Sequence, residues 1–389
     1  MNILLLTNCI VQPDDIDNSV NDIVFSFAKE WKKADHEVVI INSESRFPLI
    51  FYKVPKFIVK VAKKKGNFTI PSLASRKRLE WEKDGIKMLR IPMSKLYPHA
   101  AFSTQQYNDQ GGLIISYLNA FGFKPDIVTG HWMEPQLKLV NILGDYFKVK
   151  KALVVHGELP LKLSEEYKCL ILNLDVLFFR SYPVALKMKK KYGGDLLEES
   201  KIKVCYSGIP DEFVNNQIER TDWKKRGIVK YIYVGRLEKY KRIDAILNGL
   251  SIAYPQRNFL FEIVGNGPEN DNILKQINRL ELNENVILSG RVPRTEVIKK
   301  MNDADCFVMV SEDEVFGLVY LEAMSCGCLT VAAFDGGVDG IINDKKNGFL
   351  CEQGNEKKLS EIMTNIDNMD VDDILLIRKQ AYNTVHAYT

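Results

Sequence analysis

The chain has 389 residues, too many for one ordinary domain, and the usual size of a compact core predicts two. Its 46% hydrophobic and 26% charged residues describe a globular protein, with no tract approaching the ~20 apolar residues that span a bilayer. A net charge of +3 is too small to imply a nucleic-acid partner.

From the start, Met1 to Thr7 reads as an apolar strand without a basic leader or a small-residue cleavage site, so the expected location is the cytoplasm. Strands are predicted near Ile3 to Leu6, Glu37 to Ile41, Lys87 to Ile91, Asp126 to Val128, Ala152 to Val155 and Val176 to Phe179, with helices near Asn18 to Ala34 and Gln136 to Tyr146. Between Ile50 and Arg90 twelve Lys or Arg face three acids. A helix from Lys56 there could lay Phe57 and Val61 into an interface while lysines meet anionic headgroups. Residues 50–90 are thus read either as peripheral contact with an anionic membrane at its inner face or as a solvated helix whose lysine stems cover a local core. Ile209 to Gly227 is polar, carries Pro210 and reads as an interdomain linker. A second series places strands at Lys230 to Val234, Phe259 to Val264, Val286 to Leu288, Cys306 to Met309 and Thr330 to Ala332. Helices are predicted near Ile243 to Tyr254, Glu269 to Leu280, Arg294 to Asn302 and Gly317 to Met324. The alternation is that of βαβ units and parallel sheets. It predicts an N-terminal Rossmann-like domain over 1–208, a linker over 209–228 and a C-terminal one over 229–389, both doubly wound and facing each other across a cleft. The seven cysteines lack the spacings of a zinc site or a disulfide framework and read as reduced thiols.

Chemistry concentrates in the second series. Arg236 and Lys241 follow the strand Lys230 to Val234, and two cations at a strand's carboxyl end suit a pyrophosphate. Gly265-Asn-Gly-Pro reads as a tight loop where a ligand or backbone passes closely. After Cys306 to Val310 comes Ser311-Glu-Asp-Glu-Val-Phe-Gly-Leu-Val-Tyr-Leu-Glu, in which Glu314 and Glu322 are eight positions apart. A helix starting near Gly317 leaves Glu314 in the preceding loop and Glu322 inside the helix, with N–H groups at Phe316, Gly317 and Leu318 free for a phosphate. Carboxylates on either side of it can accept hydrogen bonds from sugar hydroxyls. Asp303-Ala-Asp305 matches a D-x-D metal pattern, but it immediately precedes an apolar strand and is assigned to turn structure. No metal site is expected.

The ordered series Tyr233-Val-Gly-Arg-Leu, Ile263-Val-Gly-Asn-Gly-Pro, Glu314-Val-Phe-Gly-Leu-Val-Tyr-Leu-Glu-Ala-Met, Gly336-Gly and Asn347-Gly-Phe-Leu is similar to the C-terminal domain of family 4 glycosyltransferases. Asp126-Ile-Val-Thr-Gly-His-Trp-Met-Glu-Pro and Val154-Val-His-Gly match the first half more loosely. The resemblance implies the GT-B architecture and a retaining transfer from a nucleotide-sugar donor, with no cofactor or metal, to a saccharide or lipid-linked acceptor in bacterial surface polysaccharide assembly. It places Arg236 and Lys241 on the leaving diphosphate, Glu322 on the ribose, Glu314 on the transferred sugar, and Arg291 and Val292 at the base. Gly265 falls in the donor loop, and His131 aligns with a histidine near the reacting sugar. The loop Cys9 to Val20 lacks the family's glycine pair, Leu329 stands for a common proline, and Gly340 stands for a common glutamate. Two other readings are a nucleotide-sugar 2-epimerase of similar architecture and a non-catalytic sugar-nucleotide-binding subunit.

Overall fold

The computed structural model describes residues 1–13, 23–53, 73, 76–97, 100–159, 162–196, 198–215, 223 and 227–389. The lysine run from Lys56 to Lys65, the first residues of the predicted helix Asn18 to Ala34, much of the Cys9 to Val20 loop and half of the linker over 209–228 lie outside these residues. The chain divides into two compact units, one of Met1–Arg180 with Ala185–Cys205, the other of Ser181–Val184 with Tyr206–Thr389. Among the described residues, no helix is long and apolar enough to cross a membrane.

The first unit is built on a sheet whose described strands run, edge to edge, Ile202–Val204, Val176–Phe179, Lys150–Val155, Ile127–His131, Asn2–Thr7, Glu37–Asn42, Ile86–Arg90 and Leu79–Lys83. Asn2–Thr7 pairs in parallel on both sides, Leu4 opposite Val39 and Val128. A strand covered on both faces needs a continuous apolar run, and Leu4, Leu5 and Leu6 are fully buried. The edge strand Leu79–Lys83 is antiparallel and was not predicted. Its turn is Asp84-Gly85 with φ of 52° and 72°, the two positive dihedrals that a two-residue hairpin requires. Lys-rich composition hid this Asp-Gly signal within 50–90. Arg90 also departs from the basic-surface reading. It is buried, and its Nε donates to the Lys77 carbonyl at 2.8 Å.

The helix Thr104–Ala120 also escaped the sequence, because Gly111 and Gly112 interrupt its apolar period. It starts on a capping box in which the Gln106 amide donates to Ser103 Oγ and the Ser103 amide to Gln106 Oε1. Gly111 allows close packing, since a Cβ there would sit 3.0 Å from Ile142.

The second unit has a parallel sheet ordered Val286–Gly290, Phe259–Val264, Val229–Val234, Cys306–Met309, Leu329–Ala333 and Phe349–Cys351. At its amino end Lys230 Nζ meets Glu262 at 2.9 Å and Asp303 at 2.8 Å, and Lys300 meets Glu262 at 2.6 Å. Asp305 accepts the Lys230 amide at 2.9 Å. Both acids of the D-x-D pattern, which the sequence reading assigned to turn structure, thus engage Lys230 at the start of a strand. The helices Glu356–Asp367 and Val371–Val385 close this unit, and the Ile209 amide donates to the Tyr388 carbonyl at 2.8 Å.

Candidate active site

In the second unit the chain reverses direction of growth between Val229–Val234 and Cys306–Met309, which are neighbours in the sheet. Beyond the carboxyl ends of such a pair, the outgoing loops diverge and leave a crevice for ligands. The loop from one strand carries Arg236 and Lys241, and the loop from the other carries Glu314. Lys241 and Glu314 meet directly as an ion pair, with side chains only 11% and 14% exposed. The Glu312 amide donates to the Tyr240 carbonyl at 2.8 Å and ties the same two loops by backbone. Arg236 is 78% exposed and pairs with Glu238 at 2.7 Å, so its guanidinium is available to an incoming anion. Its carbonyl is fixed by the Tyr233 hydroxyl at 2.9 Å.

The glycine loop after Phe259–Val264 reaches this place by backbone contact. A Cβ on Gly265, at φ 149°, would lie 1.8 Å from the Gly235 carbonyl oxygen, and one on Gly267 would lie 2.2 Å from that of Leu237. The Leu237 amide donates to the Asn266 carbonyl at 3.2 Å. Of the two roles the sequence left open for this loop, a passing backbone is present here. Gly337 plays a similar part, since its Cβ would be 2.3 Å from Phe316 N.

The helix of the E-x7-E segment spans Leu318–Ser325, with Gly317 at its N-cap in the left-handed region, φ 76°. Its start is one residue later than the sequence suggested. A side chain at Gly317 would meet the Tyr320 ring at 2.6 Å. Phe316 is buried against Tyr206, and Leu318 is half-buried. Glu322 is 14% exposed and pairs with Arg294, which lies over the Phe213 ring at 4.9 Å. Burial raises the Glu322 carboxyl above the ordinary range, and Arg294 opposes that shift. Arg294 was not singled out in the sequence, where it reads as the first residue of a predicted helix. Arg291 is exposed just past Val286–Gly290, and Val292 packs against the core.

In the first unit, neighbouring strand ends bring three polar groups together. His131 ends Ile127–His131 and is 1% exposed, His156 follows Lys150–Val155, and Arg180 follows Val176–Phe179. His131 Nδ1 lies 2.8 Å from His156 Nε2, and Arg180 Nη1 lies 3.5 Å from His156 Nδ1. The Trp132 and His156 rings stack at 4.0 Å and 15°. Burial, then the Arg180 charge, pulls His131 down to about 3 and His156 to about 2. Arg180 carried no motif of its own in the sequence.

Two Rossmann-like α/β units, the second with its outgoing loops meeting at a topological switch point, define the GT-B fold. Residues 215–371 match the family model described as "Glycosyl transferases group 1". The chain is 30% identical over 166 residues to N-acetyl-alpha-D-glucosaminyl L-malate synthase of Bacillus anthracis, covering 41% of this chain and 43% of that protein. Across the first curated relatives the match spans 38 to 66% of their length. The fold of a Rickettsia africae glycosyltransferase superposes with a TM-score of 0.70 at 16% identity, covering 100% of this chain and 93% of that one. An Anabaena protein solved in complex with UDP superposes at 0.66 and 18% identity, covering 100% and 95%. Over the C-terminal unit alone, the chain is thus similar to family 4-like glycosyltransferases.

Proposed function

We propose that the protein transfers a sugar, with retention of configuration, from a nucleotide-sugar donor to a saccharide or lipid-linked acceptor of surface polysaccharide assembly. The Lys241–Glu314 pair across the switch point, inside the span matched by the family, carries this reading. Lys241 and Arg236 would balance the charge that grows on the departing diphosphate, the kind of prearranged electrostatics that dominates many enzymatic rates. The Glu322 carboxylate would accept hydrogen bonds from the ribose. Glu314 would hold the transferred sugar and orient Lys241. Both acids of Asp303-Ala-Asp305 are engaged with Lys230, which supports a transfer that uses no D-x-D metal. The UDP-bound Anabaena neighbour makes a UDP-sugar the first donor to try.

The test is a thermal-shift panel of UDP-, GDP- and ADP-sugars on the full chain. A matching donor at 100 times its Kd should add about 2.7 kcal/mol of apparent stability by mass action. Glu322→Ala and Lys241→Ala should each remove most of that shift. No shift with any donor, or an unchanged shift in both variants, would overturn the reading. A new nucleotide sugar formed without acceptor would instead show an epimerase.

A further inference from the structure

We propose that Arg180 and His156 are positioning residues that lock His131 as its Nε2–H tautomer, so that His131 offers a hydrogen-bond donor to a ligand oxygen and does not accept a proton. The role for a ligand rests on the function proposed above; the tautomer itself does not.

The argument starts from Arg180, whose guanidinium has donors and no acceptor. Its Nη1–H is aimed at His156 Nδ1 across 3.5 Å, so Nδ1 must be the unprotonated nitrogen of that ring. A neutral imidazole then carries its single proton on Nε2. That nitrogen lies 2.8 Å from His131 Nδ1 and donates to it. His131 Nδ1 is thereby an acceptor, and the ring's own proton sits on Nε2. The opposite direction would set an N–H of His156 against an N–H of Arg180. Both rings stay neutral, because burial and the Arg180 charge oppose a second proton on either.

The scaffold holds this order. The three residues stand at the carboxyl ends of three adjacent parallel strands, so their spacing is set by the sheet. Trp132 stacks on the His156 ring, and Phe27 lies 5.5 Å from the His131 ring, which fixes both ring planes. The consequence for chemistry is definite. A hydroxyl or phosphate oxygen meeting His131 receives a hydrogen bond, and a proton released by an attacking hydroxyl must go elsewhere.

Two-bond 1H–15N correlation spectra of the full chain, labelled at histidine and assigned with His131→Asn and His156→Gln, test the proposal. Near neutral pH, about 7, both rings are expected to show a protonated Nε2 and a bare Nδ1. Arg180→Met should introduce an Nδ1–H population at His156 and, through it, at His131. A protonated Nδ1 on His131 in the unaltered chain, or an unchanged pattern in Arg180→Met, would overturn the relay. Should Arg180→Met fail to fold, Arg180→Gln, whose amide can donate or accept, should give the same mixing, and unchanged tautomers would overturn the relay. These readouts are independent of turnover, so a protein that transfers no sugar would still reveal its tautomers.

Discussion

Lys241, Glu314 and Glu322 illustrate how single side chains are held ready by partners before any ligand arrives. Each carboxylate faces a cation, and under the proposed function a donor would trade places with or share these pairs. Gly265 acts through its missing side chain. Gly265→Ala would force its Cβ into the Gly235 carbonyl oxygen and push the Arg236 loop away. The expected cost is about 3 kcal/mol in urea unfolding, with a tenfold or greater loss of donor affinity. The buried histidines make a prediction in pH. Their folded pKa values, about 3 and about 2, lie below the ordinary value, so below pH ~6.5 the unfolded chain binds more protons. Their contribution is complete above that pH and drains away as pH falls toward their folded values. Stability should drop by roughly 2 kcal/mol per histidine at about pH 5. The double variant His131→Asn with His156→Gln should flatten that acid limb in denaturant titrations.

At the scale of elements, the strand Cys306–Met309 owes its place to an acid immediately before it. Asp305 receives the Lys230 amide and lies 3.9 Å from Arg378, both side chains nearly excluded from water. Asp305→Ala would leave a buried N–H without its acceptor and strip Arg378 of an opposing charge, costing about 3 kcal/mol. Asp303→Ala should cost under about 1 kcal/mol, since its carboxylate is half exposed and Lys230 keeps Glu262. Donor binding should survive both Asp303→Ala and EDTA treatment of the unaltered chain, and loss in either case would show a metal held by this pair. The D-x-D pattern was legible as structure because an apolar strand follows it. The Asp84-Gly85 turn is an equally local signal, but the lysine-rich stretch around it masks it. Gly111-Gly112 misled for a different reason: they weaken a helix locally, and packing against the neighbouring helix Gln136–Phe147 outweighs that cost.

For the whole molecule, each unit encloses its own apolar core, so thermal unfolding should resolve two transitions. A nucleotide diphosphate should raise the one belonging to the second unit and leave the other in place; a single transition moving as a whole would contradict this. The sequence by itself determined the two-unit α/β architecture, because buried parallel strands must be apolar throughout and helices must be periodic. It also determined the make-up of the switch-point loops, since cations, glycine and paired glutamates occur there in a fixed order. Only the tertiary structure decided which groups meet. Arg294 faces Glu322 from another helix, and Arg180 reaches His131 through His156 across three strands. Such contacts join residues far apart in the chain, and no local pattern encodes them. Their geometry comes from sheet order and register, which set strand ends side by side whatever their distance in sequence.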